Sequence, residues 1–179
     1  DLITGGNFSE TAKENTNSAP FAVDIVIDNP VDGYYNAWSP EEVRYINDLD
    51  EFLAFRAEVN SGVSFAGVIV RLNVDLDFID LDWTENIGNA EHPFEGIFDG
   101  QHNAIKNLYL ISRPSVARDY LGLFGVISGG AVIKNVVLED LLFVPGGGGQ
   151  YVGTVVGYAS SGAVIEGNVV NQLKVEGTE

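Results

Sequence analysis

From Phe65 to Asp82 apolar and polar positions alternate, with Val70, Leu72, Val74, Leu76 and Phe78 on one side. A period of two is that of a β-strand with one buried face. Just upstream the period changes. Leu49, Phe52, Leu53, Arg56 and Val59 follow one another at helical spacing. Asp48 stands where an N-cap belongs, with the acid Glu51 three residues on, and Gly62 lies just past the end. The spacing predicts a helix over about 48–60. Beyond Phe94 helical periodicity disappears, and short runs of Val, Ile, Leu and Phe are cut by Gly, Asn, Asp and Ser. Near the start, Phe21–Asp28 alternates as a strand and Glu10–Ser18 reads as a polar loop. Asp1–Ser9, with the turn Gly5-Gly6-Asn7, reads as the tail of a repeat or as a strand that pairs elsewhere.

The short runs repeat. Gly130-Ala131-Val132-Ile133-Lys134 returns thirty-two residues later as Gly162-Ala163-Val164-Ile165-Glu166. The same offset pairs Val137 with Val169, Leu138 with Val170, Leu141 with Leu173 and Phe143 with Val175. Gly122-Leu123-Phe124-Gly125 matches Gly153-Thr154-Val155-Val156-Gly157 with one inserted residue, and Ile105–Leu110 matches Ile133–Leu138 at an offset of twenty-eight. A unit this short cannot cover its own apolar face, so copies must stack. Stacking in parallel lays like residues over like at about 4.8 Å. The expected fold is all-β, a short right-handed parallel β-solenoid with an N-terminal capping α-helix. Its boundaries are expected at 46–179, with repeats at about 94–113, 120–146 and 151–178. Residues 1–45 read as a strand and loop region, and the sequence leaves open whether that region joins the solenoid.

Composition narrows the partners. The 179-residue chain has 26 acidic against 9 basic side chains, a net charge of −17. That balance opposes nucleic acid, which needs clustered Lys and Arg, and anionic membrane surfaces equally. No run approaches the roughly 20 apolar residues of a membrane span. There is no Cys, which removes disulfides and thiolate metal sites, and no Met. The missing initiator Met points to a processed or excised chain.

Several segments together resemble a known repeat. Phe94-x-Gly96-x-Phe98-Asp99-Gly100, Ile105-Lys106-Asn107-Leu108, Gly122-Leu123-Phe124-Gly125, Val132-Ile133-Lys134-Asn135 and Val155-Val156-Gly157 occur in this order. Ahead of them stand Phe55-x-x-x-Val59-Asn60-x-Gly62, Asp75-Leu76-Asp77 and Trp83 through Ile87-Gly88. The succession from Asp48 through Val175 is similar to the GLUG-type β-helical repeat of bacterial surface proteins. The last copy departs from the pattern, with Gly167-Asn168 where the family often carries Asn-Cys. The resemblance implies a large secreted or cell-wall protein, adhesin-like or accompanying an immunoglobulin-cleaving protease. It carries no catalytic residues.

Candidate chemistry is sparse. Asp75, Asp77, Asp80 and Asp82 could offer hard oxygen ligands to calcium, since Asp75 and Asp77 share a strand face. The same acids read equally as the solvated face opposite Val74, Leu76 and Phe78. Tyr34, Tyr35 and Trp38 could stack on a sugar, or pack the N-terminal region. Asp99-Gly100 reads as a tight corner, Asn107 and Asn135 as stacked corner residues, and His92 and His102 as surface or corner residues. Gly146–Gly149 precedes no Lys-Ser/Thr and reads as a loop. The expected function is therefore a non-enzymatic extracellular or cell-surface structural or adhesion module. Its expected partner is a protein or glycan on a surface, or a copy of itself through strand addition at the solenoid ends. A carbohydrate-binding module, or a polysaccharide-degrading β-helix enzyme using a pair of those carboxylates, is the alternative.

Overall fold

Corner-forming residues interrupt the described part of this chain so often that its strands there run to five residues at most. The computed structural model describes residues 42–79, 81, 83, 85–112, 119–145, 151–160 and 162–177. The chain divides into two compact units, Asp1–Ala37 and Trp38–Glu179, and every described residue belongs to the second. The strand expected at Phe21–Asp28 and the loop Gly146–Gly149 lie outside the described residues.

The described chain opens with strand β1 (Glu42–Ile46), helix α1 (Leu49–Asn60), β2 (Val68–Leu72) and β3 (Leu76–Asp77). A first pass of five strands follows: β4 (Ile97–Asp99), β5 (Ala104–Lys106), β6 (Tyr109–Ile111), β7 (Tyr120–Leu121) and β8 (Phe124–Ile127). A second repeats it as β9 (Val132–Lys134), β10 (Val137–Glu139), β11 (Leu142–Val144), β12 (Tyr151–Val152) and β13 (Val156–Ala159). The third supplies β14 (Val164–Glu166), β15 (Val169–Asn171) and β16 (Lys174–Val175).

Neighbouring strands are parallel throughout, and each pairs with the equivalent strand of the next pass. The sheets run β1-β2-β4-β9-β14, β3-β5-β10-β15, β6-β11-β16, β7-β12 and β8-β13, and none of them closes on itself. The fold is thus mostly strand, in parallel sheets, with one helix among the described residues. The thirty-two-residue repeat is the pairing register: Val132 faces Val164, Ile133 faces Ile165, and Val137 faces Val169.

The twenty-eight-residue match is not a pairing register. Ile105 pairs with Leu138, and Ile133 pairs with Phe98. The corner between β4 and β5 is two residues longer than that between β9 and β10, so the same strand–Asn–strand segment falls at different corners in the two passes. Asn107 and Asn135 both adopt a positive φ of 55°, as corner residues, but they do not stack on each other. The corner of Asn107 is continued by Asp140 and Gln172, at φ 51° and 54°, and that of Asn135 by Gly167.

Two boundaries also differ from expectation. β1 pairs residue by residue with β2, so the described ladder takes in Glu42–Tyr45, ahead of the start expected at 46 and within the stretch whose attachment the sequence left open. The strand expected over Phe65–Asp82 is two strands with a corner at Asn73–Asp75. There Asn73 N donates to Ile46 O at 2.8 Å, its side chain reaches Asn47, and Val74 is only half-buried.

Helix α1 forms where its caps predict. Asp48 accepts from Glu51 N at 2.8 Å, while Glu51 bonds back to Asn47 N at 2.7 Å. Asp48→Ala is expected to cost about 1 kcal/mol, read as a lower urea midpoint at unchanged slope. The buried face is Phe52, Phe55 and Val59. Arg56, grouped with that face by spacing, lies with its guanidinium 4.7 Å from the Trp83 ring centroid. The rings of Phe52 and Phe55 pack among Phe65, Phe78, Trp83, Phe94 and Phe98, and this aromatic core continues through Phe124 into the aliphatic interior of the later passes.

Candidate functional site

The charged side chains that could do chemistry stand on the outward positions of the first two sheets, where alternation along each short strand directs them. In register across β2, β4, β9 and β14 are Arg71, Asp99, Lys134 and Glu166. Across β3, β5 and β10 are Asp77, Lys106 and Glu139. Signs alternate along both columns. Opposite charges on facing positions favour this register, and a one-residue slip would turn them toward the core face.

The described carboxylates singled out in the sequence, Asp75, Asp77 and Asp99, are bonded to neighbouring strands and corners. Asp75 accepts from Ala104 N and from Lys106 Nζ, both at 2.8 Å. Asp77 accepts from Ile79 N at 3.0 Å and from Asn107 Nδ2 at 2.7 Å. Asp99 accepts from Gln101 N at 3.1 Å and from Asn135 Nδ2 at 3.0 Å, with Lys134 Nζ 3.8 Å away. Asp99-Gly100 is thus the corner the sequence suggested, bound to the next pass through Asn135. His102 sits in that corner at a φ of 61°. Asp80 and Asp82 lie outside the described residues, so the calcium set is represented by Asp75 and Asp77 alone. Among the described residues, no three His, Cys, Asp or Glu side chains are grouped to hold a metal ion.

These bonds set the titration. The hydrogen bond from Lys106, with that from Ala104 N, holds Asp75 below the usual carboxylate range. Burial pushes Asp99 up, but the bonds from Asn135 and Gln101 and the charges of Lys134 and Arg71 outweigh it and leave it lowered. Glu58 is lowered by Arg44, whose Nη1 lies 2.6 Å from Glu58 Oε2. A carboxylate with a depressed folded pKa stabilises the fold above its unfolded value, and that stability is lost as pH falls through the folded pKa. The thermal midpoint is therefore expected to hold down to about pH 5 and to fall below about pH 4. Asp99→Asn should shallow that fall, in melts recorded across pH.

Tyr34, Tyr35 and Trp38 lie outside the described residues. The described surface carries a different aromatic group, Tyr120, Tyr151 and Tyr158. Tyr120 and Tyr151 stack at 5.2 Å with 12° between planes, and Tyr158 meets Tyr151 edge-on at 5.0 Å. The rings pack on one another across the β7–β12 ladder, so they extend the like-on-like stacking to the outside. Their signal in the sequence was the thirty-one-residue spacing of Tyr120 and Tyr151, just ahead of the matched glycine segments. The charge columns had one too: Lys134 and Glu166 end the two copies of the clearest repeat.

The lead-in segment is likewise structural. Asn60 donates to Asn86 O at 2.9 Å and accepts from Gly88 N at 2.8 Å, pinning the Asn86–Gly88 turn to the end of α1. Ile87 bridges to Phe124 and so joins this turn to the first pass. No helix among the described residues is long and apolar enough to cross a membrane. No family model, no curated protein and no solved structure matches the chain.

Proposed function

We propose that residues 42–177 form a short right-handed parallel β-solenoid capped by α1, and that it serves as a non-enzymatic structural or adhesion module on or outside a bacterial cell, of the GLUG-repeat kind. The observation that carries this is the like-on-like register, in which Val132, Ile133, Val137 and Tyr120 face Val164, Ile165, Val169 and Tyr151 across parallel ladders. Successive passes of this kind bury a continuous core and build length, which is the use of a solenoid. The right hand follows from the general preference of parallel crossover connections. The corner carboxylates support a non-catalytic role, because Asp75, Asp77 and Asp99 are bound to neighbouring passes. The net charge of −17 suits a solvated, exposed location.

Amide exchange is expected to protect the strands from β4 to β13 as one block. Antibodies raised against the purified chain are expected to label intact cells of the source bacterium. Labelling that requires permeabilisation would overturn the location. Turnover of a polysaccharide that Asp75→Asn abolishes would overturn the non-enzymatic reading in favour of a β-helix glycan-degrading enzyme.

A further inference from the structure

We propose that Tyr120 and Tyr151 form a site of oxidative modification, at which a one-electron oxidant of the peroxidase class joins the two rings as a dityrosine. The bond staples the first pass to the second. Tyr120 and Tyr151 are register partners in the parallel β7–β12 ladder, with ring centroids 5.2 Å apart and 12° between planes. Parallel, in-register pairing sets like ring edges side by side, so the carbons beside the two hydroxyls are neighbours. Tyr158 lies 5.0 Å from Tyr151 and 6.1 Å from Tyr120, and so backs the stack from one side. It meets Tyr151 edge-on, which aims one ring's edge at the other's face.

Oxidising equivalents have few other places to go. The chain has no Cys and no Met, so the sulfur groups that ordinarily take up oxidants are missing. Trp83 is buried, with the Arg56 guanidinium over its ring. Tyr151 and Tyr158 are each 40% exposed, and Tyr120 is half-buried. The other described phenols, Tyr45 and Tyr109, face Arg71 and Leu142 across their ladders. A radical on either of those has no phenol beside it in its column.

In the reaction each phenol gives up one electron and its hydroxyl proton, and the unpaired spin spreads onto the carbons beside the oxygen. One such carbon of Tyr120 bonds to one of Tyr151. The hydrogen on each bonded carbon then moves to oxygen, which restores both aromatic rings. Hydrogen peroxide accepts the two electrons and two protons and is reduced to water. Leu121 beside Tyr120 is buried, so alternation puts the phenol pair on the outer face, where the rings can tilt as the bond forms. The bond does for this cysteine-free chain what a disulfide does elsewhere: it closes a loop of thirty-one residues and restricts the unfolded chain. The contact is internal to the chain, so it holds whatever lies beyond β12 and whatever role the protein has.

The test is to oxidise the full chain, dilute enough to keep molecules apart, with a haem peroxidase and hydrogen peroxide. The product is then digested and its linked peptides are identified by mass spectrometry. Dityrosine fluorescence is expected in a monomer lighter by two hydrogen atoms, with the bond joining the peptides of Tyr120 and Tyr151. That product should melt about 5–10 °C above the untreated chain. Tyr120→Phe keeps a stacked ring and should remove this link, whereas Tyr45→Phe, Tyr109→Phe and Tyr158→Phe should each leave its yield unchanged. An oxidised chain with no linked peptide overturns the proposal. So does dityrosine confined to Tyr151 and Tyr158, or found only between molecules. A linked product that melts no higher than the untreated chain overturns the stapling of one pass to the next.

Discussion

Phe52→Ala is expected to destabilise the fold by about 3–5 kcal/mol, a large part of the roughly 5–15 kcal/mol a domain possesses. Phe52 is fully buried. Its ring centroid lies 5.8 Å from that of Phe78, 6.0 Å from Trp83, and 6.3 Å from both Phe55 and Phe98. These partners come from α1, from the segment after β3, and from β4, so the ring joins three separate pieces of chain. Truncation leaves a cavity that the surrounding backbone cannot close, because β2 and β4 are held in the five-stranded ladder. Phe52→Leu refills most of that volume and should cost about half as much or less. Urea unfolding of the two variants checks this, and a loss below about 1 kcal/mol for the alanine would show that α1 does not seal the core as described.

Gly125→Val is expected to be at least as damaging, at about 3 kcal/mol or more, through overpacking and not a cavity. A Cβ at Gly125 would stand 2.5 Å from Gly88 O and 3.0 Å from Asn86 Cβ. Neither backbone can retreat freely. Gly125 N donates to Ile87 O at 2.9 Å, and Phe94 N donates to Val126 O at 3.0 Å, so separation breaks the bonds that tie the lead-in turn to β8. Gly88 is equally constrained, with a φ of +75° and Val126 O 2.5 Å from where its Cβ would be. Gly125→Ala should already be costly. Gly177→Ala, with no atom within 4 Å of the added carbon, should change stability by less than about 0.5 kcal/mol. Equal melting temperatures for Gly125→Ala and the wild-type chain would refute the close approach. An added Cβ at Gly122 would likewise stand 2.6 Å from Phe124 O and 2.8 Å from Gly157 N, so close backbone contact accounts for both glycines of Gly122-Leu123-Phe124-Gly125.

How much of this was legible depended on how regular each pass is. Between the second and third passes the loops differ little in length, and the thirty-two-residue repeat gives the pairing directly. Among the earlier strands the spacing changes: Glu42 pairs with Val68, Ile69 with Ile97, and Ile97 with Val132. Lengthening a surface loop costs little free energy, so chain spacing stops reporting register there. That is why the twenty-eight-residue match is not a pairing register and why chain spacing does not disclose the β1–β2 ladder. The candidate site suffered in the same way. Asp75 and Asp77 are two residues apart in sequence, yet the structure puts Asp75 at a corner and Asp77 in β3, and the lysine that engages Asp75 is thirty-one residues away.

By itself, the sequence determined the local elements and the kind of neighbour each would have. The cap at Asp48, the corner formers and the repeated aliphatic runs act over a few residues, and a parallel ladder places like beside like. Tertiary structure alone decided which corner stacks on which, that Asn73 breaks the expected long strand, and that charges alternate along the outer columns. Those outcomes depend on side chains far apart in sequence meeting at about 5 Å across a ladder. Packing sets such meetings, and periodicity along the chain does not.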